Sequence, residues 1–179
     1  GGIGVEKELH VGLTSQFGGL MTATGIHQTA GTDLANAADT ITLTTGDHGK
    51  SVLCLVASAA KVLRLPEVGA AHVGTQIKII QNVDLVNGGS IQIDAKHGSV
   101  NGTFATNSYA IGVNSGRPLA ATRPADANNR VTITGANTNS AWGIGSVATF
   151  TAVAANEWHF AIHSEPLGTG NDAIAYATS

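Results

Sequence analysis

From Thr40 to Gln81 the chain reads TITLTTGDHGKSVLCLVASAAKVLRLPEVGAAHVGTQIKIIQ, and polar turns cut its apolar pattern before any long helix could be built. Ile41 and Leu43 alternate with threonines, the period of a half-buried strand. The cluster Gly46-Asp47-His48-Gly49 breaks that pattern, and an apolar run resumes from Val52 to Val56. A turn at Ser58 to Ala60 leads into Val62-Leu63-Arg64-Leu65. Pro66 stops that strand, because proline cannot donate to a ladder and holds the residue before it extended. Ile77 to Gln81 supplies a fourth strand.

The same punctuation continues to residue 165, with strands spaced by about 10 to 14 residues, as in a β-sandwich or barrel. Asn87-Gly88-Gly89 reads as a hairpin turn, since these residues tolerate positive φ, and Ser90 to Asp94 is the expected return strand. Residues 101–129 hold Gly102, Gly112, Gly116, Pro118 and Pro124 and leave room only for brief extended pieces such as Ser108 to Val113. Val131 and Ile133 mark another strand. Val147 to Val153 and Trp158 to His163 form a final hairpin across Ala154-Ala155-Asn156-Glu157, and Pro166 ends the sheet.

Residues 1–39 differ. Gly1, Gly2, Gly4, Gly12, Gly18, Gly19, Gly25 and Gly31 interrupt every apolar pattern, and each interior glycine costs a helix about 1 kcal/mol relative to alanine. An extended arm is expected, with a single helical turn admitted at Thr32 to Ala38. Its isolated apolar residues, Leu9, Val11, Leu13, Phe17, Leu20, Met21 and Ile26, bury poorly alone and well against a neighbour. The domain reading is therefore an N-terminal arm (1–39), an all-β domain (40–165) and a C-terminal tail (166–179). The fold class is an antiparallel β-sandwich or jelly-roll-like barrel.

Composition narrows the function. Charged residues are 12% of 179, against about 25% in ordinary soluble domains, so threonine, serine, asparagine and glycine must cover the surface or other subunits must. A formal net charge of −3 gives no general attraction for nucleic acid. Glu6, Lys7 and Glu8 leave no apolar run of signal-peptide length, and nothing approaches the roughly 20 apolar residues of a membrane span. Neither nucleic acid nor membrane is expected as a partner, and the chain is expected to be soluble before it assembles.

The chemistry-bearing residues do not converge. His159 and His163, four apart on one strand face, stand roughly 13 Å apart at about 3.3 Å per residue, too far to share an ion. His10, His27, His48, His72 and His97 fall singly near turns or in loops, whereas zinc needs three or four ligands together. Asp47, His48 and Ser51 have the residue types of a hydrolytic triad, but so close in one turn they cannot take its geometry. In the turn reading, Asp47 bonds the backbone that follows it. Asp84, Asp94, Asp126, Glu157, Glu165 and Asp172 single out no facing pair. Gly46 to Ser51 is too short for a phosphate-binding loop. Cys54, flanked by Leu53 and Leu55, reads as a buried small hydrophobe, and as the only cysteine it can form no intrachain disulfide. No catalytic, cofactor or metal site is expected, and the chain is read as not an enzyme. Trp158 belongs to the core by its alternation with Phe160 and Ile162. Trp142, between Ala141 and Gly143 and close to Gly145, is the tryptophan expected at the surface, as an interface anchor or a sugar-stacking face.

The succession Thr40 to Leu43, Gly46 to Lys50, Ser51 to Val56, Lys61 to Pro66, Gly74 and Ile77 to Ile80, with the hairpin Ser146 to His163, resembles small structural proteins of tailed bacteriophages, notably capsid decoration (cement) proteins and fibre modules. The resemblance covers roughly half of the chain. It implies a structural virion protein, made in the host cytoplasm and placed on the outer capsid surface. Such a protein would bind the major capsid protein and itself, as a homotrimer, and stabilise the head through many contacts. The contact residues expected are Leu9, Val11, Leu13, Phe17, Leu20, Met21, Ile26, Tyr109, Arg117 and Trp142. The alternatives are a tail or head fibre module and a glycan-binding module.

Overall fold

The computed structural model describes residues 33–95, 102–114, 117–118, 123–125, 127–135, 142–165 and 174–178, and of 112–114 and 117–118 only the backbone. All regular structure in them is β apart from two single-turn 3₁₀ helices, Thr45–Asp47 and Ala70–His72. The strands are β1 (Thr40–Thr42), β2 (Ser51–Cys54), β3 (Ala60–Arg64), β4 (Gln76–Gln81), β5 (Ser90–Asp94), β6 (Thr103–Phe104), β7 (Tyr109–Asn114), β8 (Arg117–Pro118), β9 (Arg130–Thr134), β10 (Val147–Ala154), β11 (Glu157–Ser164) and β12 (Ile174–Ala177).

They form two sheets. The five-stranded sheet has the order β1-β3-β5-β9-β12. The seven-stranded sheet has the order β2-β4-β10-β11-β7-β8, and β6 pairs with β11 ahead of β7. One face of each is apolar, as the alternation demands. Val52, Cys54, Ile77, Ile79, Phe150, Trp158, Phe160 and Ile162 from one sheet and Leu63, Ile91, Ile93, Val131 and Ile133 from the other belong to a single buried cluster. Phe104 sits edge-on to Phe160 at 5.0 Å, and Tyr176 of β12 stacks on the same ring at 5.9 Å.

All four strands expected between Thr40 and Gln81 are present, as is the hairpin β10–β11, in which Phe150 faces Phe160. The pairing is mixed, however, and not the antiparallel pairing expected. β1 runs parallel to β3, β3 to β5, and β2 to β4. The chain from β1 to β5 alternates between the sheets, so each parallel crossover passes through a strand of the facing sheet. Parallel neighbours always need such a crossover. Asn87-Gly88 does make a turn, with Gly88 at φ 86°. It joins β4 of one sheet to β5 of the other, so no hairpin forms there. The expected C-terminal tail contributes β12, which pairs antiparallel with β9. Residues 33–38 contain no helical turn. Leu34 is fully buried and bridges Cys54 on the outer edge of β2.

Candidate functional site

The outer face of the seven-stranded sheet carries side chains in rows set by the register. One row runs Ser51, Lys78, Thr149, Ala161, Tyr109, and the next runs Leu53, Ile80, Val147, His163, Ile111. Alternation turns all of these away from the core, yet Leu53, Ile80, Val147 and Ile111 are half-buried by their neighbours. Four apolar side chains on one solvent-facing row make a surface suited to docking, since such patches mark interaction sites more often than scattered hydrophobes do.

Tyr109 gives this face its aromatic point. It stands opposite Ala161, so its ring lies between His159 and His163, edge-on to both, at 6.2 and 6.0 Å. The two histidines expected on one strand face do share it, with a phenol ring between them. Among the described residues no group of three histidine, cysteine, aspartate or glutamate side chains converges on a possible ion.

At the β2–β4 edge the face ends in a hollow of about 250 Å³ lined by Gly49, Lys50, Ser51, Gln76, Lys78 and Thr149. Lys78 is exposed there, and Lys50 lies 3.5 Å from Asp47. Beyond it a shallow depression of about 460 Å³ is lined by Thr45, Gly46, His48, Ala71, His72, Val73, Gly74 and Thr75. The two corners of this depression are built alike. Each is a 3₁₀ turn followed by a type II turn, with His48 (φ −55°, ψ 132°) before Gly49 (φ 72°) and Val73 (φ −58°, ψ 134°) before Gly74 (φ 93°). The glycines are required because type II turns need positive φ at that position. His48 Nδ1 accepts the Gln76 N–H at 2.8 Å and ties the first corner to the second. What the two corners share in sequence is a glycine two residues past the 3₁₀ turn, Gly49 and Gly74; His48 corresponds in position to Val73 and not to His72.

The triad types at this corner do turn work. Asp47 Oδ2 accepts from the backbone N–H of Thr44 at 2.9 Å and from its hydroxyl at 3.0 Å, so its bond reaches back rather than forward. Partial burial raises the Asp47 carboxyl, but the Thr44 hydrogen bonds and the Lys50 charge outweigh it and hold the group below the usual carboxylate range. Cys54 is fully buried as expected, and burial pushes its thiol up to about 11. Asp94 is buried and held by Arg130 through two hydrogen bonds of 2.8 and 3.0 Å, which raise the guanidinium further above its ordinary value.

Trp142 is the expected contact residue that the structure places elsewhere. It is 1% exposed, and its Nε1 donates to Gln81 Oε1 at 2.6 Å. Gln81 donates in turn to the carbonyls of Val56, at 2.9 Å, and Val83, at 2.5 Å. Gly143 allows this burial, since a Cβ there would strike the Glu165 carbonyl. A sugar-stacking surface at Trp142 is thereby removed. Trp158 is in the core as expected. Tyr109 lies on the outer face, Arg117 lies in β8, and Leu9, Val11, Leu13, Phe17, Leu20, Met21 and Ile26 fall outside the described residues. Lys78 and Ile80 were missed as site residues, although the alternation of QIKIIQ already turned them outward together. Among the described residues, no helix is long and apolar enough to cross a membrane. The chain matches no family model, no curated protein and no solved structure.

Proposed function

We propose that this chain is a structural virion protein, a capsid decoration protein that binds the outer surface of a phage head and stabilises it. The observation that carries the reading is the half-buried apolar row Leu53, Ile80, Val147 and Ile111 beside Tyr109, on the outer face of the seven-stranded sheet. The low charge content agrees with a surface meant to be covered. Its partners are the major capsid protein and further copies of itself, assembled as a homotrimer. Several weak contacts to the shell then add through effective concentration. The test is binding to purified shells that lack the protein. Tyr109→Ser and Val147→Asp should each lower occupancy at least tenfold while the far-ultraviolet circular dichroism stays native. Undiminished occupancy of both variants would sink the assignment of this face.

The parallel coiling of β1 to β5 favours a second reading, a module of a tail or head fibre, because strands stacked in coils extend naturally along an axis. Copy number separates the two. A decoration protein covers the shell in many copies per particle, and a fibre module is present in few.

A further inference from the structure

The inward side of β3 carries Lys61 followed by Leu63, so a charged residue stands where the strand pattern calls for an apolar one. Its side chain is 0% exposed. It lies level with Asp39, because Thr40 pairs with Val62 in the parallel register and the Val62 N–H donates to the Asp39 carbonyl at 2.9 Å. Lys61 Nζ is in contact with Asp39 Oδ1, and the Asp39 side chain is 52% exposed. A buried ammonium is costly even when paired. An amine and a carboxyl group held against each other also react as if at very high concentration, with effective molarities of about 10⁵ to 10⁸ M in well-oriented cases.

We propose that Lys61 and Asp39 condense into an intramolecular isopeptide bond that joins β3 to the residue preceding β1. The ammonium passes one proton to the carboxylate. The uncharged amine nitrogen then attacks Cγ, forming the Nζ–Cγ bond. The Cγ–O bond to the protonated oxygen breaks, and that oxygen leaves as water with a second proton from the nitrogen. An ammonium and a carboxylate become an amide and one water, with no oxidant or reductant. Both charges disappear, that of Lys61 from a fully buried position, and the half-exposed side of Asp39 gives the water a way out.

The bond would fix the chain where it enters the edge of the five-stranded sheet. β1 has only three residues, and an isopeptide would carry load from the preceding segment directly into β3. The test is the intact mass of the full chain under denaturing conditions. The expected result is a mass one water below that of the sequence, a branched peptide joining Asp39 and Lys61 after proteolysis, and the full sequence mass in Asp39→Ala and Lys61→Arg. Recovery of the wild-type chain at the full sequence mass, with Asp39 and Lys61 in separate linear peptides, overturns the proposal. A water loss that persists in both variants overturns it as well, because it would then arise elsewhere.

Discussion

The two tryptophans offer a controlled measurement of a buried hydrogen bond. Both are fully buried, and replacing either with phenylalanine removes the same volume, so the cavity penalty is similar in the two variants. Their polar ends differ. Trp142 Nε1 donates to Gln81 Oε1, and Trp142→Phe leaves that buried acceptor without this donor, at a cost of about 1–3 kcal/mol. Trp158 Nε1 has no hydrogen-bond partner among the described residues, so Trp158→Phe removes an unsatisfied donor and regains about 1–3 kcal/mol against the same cavity. The difference isolates the polar contribution, and we expect Trp142→Phe to be the less stable by about 2–6 kcal/mol. In a chain of this size that is about 4–24 °C in melting temperature. Equilibrium urea unfolding followed by far-ultraviolet circular dichroism measures it without depending on the altered fluorophores, and equal m-values would show that the unfolded states are comparable. If Trp158→Phe is as destabilising as Trp142→Phe, the Gln81 network does not have the role assigned to it.

Three further outcomes follow from the same geometry. Asn36 Oδ1 accepts the N–H groups of Ala57, Ser58 and Ala59 at 3.0–3.1 Å; Asn36→Ala should destabilise by about 1–2 kcal/mol and speed exchange of those three amides about tenfold, and unchanged exchange would refute it. Cys54 should resist thiol reagents in the native protein and react once it is unfolded in urea, because the buried thiol keeps its proton well above neutral pH; stoichiometric labelling of the folded chain would contradict this. Asp47 is held below its ordinary range in the fold, so its contribution is complete above the unfolded carboxylate value and lost as the pH falls through the lower folded value. Urea midpoints of the wild type and Asp47→Asn should therefore converge on acidification from about pH 5 to pH 2, and a constant gap would show that the Asp47 charge plays no part.

Strand positions were legible because burial on one face imposes a period of two, and β1 to β4, β9 and the β10–β11 hairpin all obey it. Partner and direction were not. Ser90 to Asp94 alternates equally well whether it returns beside β4 or crosses to lie parallel to β3, and only the second occurs. The sheet-facing role of Tyr109 depended on a parallel register with β11 that no local pattern records. Trp142 misled for a different physical reason. Glycines beside it resemble a loose surface loop, but at Gly143 the missing side chain lets two stretches of backbone press together and bury the indole.

The boundary drawn at Thr40 also yields to the contacts. Leu34 exchanges backbone hydrogen bonds of 2.8 Å with Leu53 and Leu55 along the outer edge of β2, in the seven-stranded sheet. Asn36 holds the β2–β3 turn, and Asp39 lies against β3 in the other sheet. Residues 33–39 thus cross the open side of the sandwich from one sheet edge to the other. Exposed edges invite pairing with other chains, and this segment occupies both edges where the chain enters the domain. Anything attached ahead of residue 33 is therefore joined to both sheets at once. A pull on that segment is resisted by the Leu34 bridge, the Asn36 hydrogen bonds and the Lys61–Asp39 contact together. Because the three lie in series along the chain, Asn36→Ala should loosen the segment at its middle, next to the Leu34 bridge, and Asp39→Ala at its far end. Amide exchange at Leu34 should respond to the first substitution more than to the second, and the reverse order would show that the clasp does not act segment by segment.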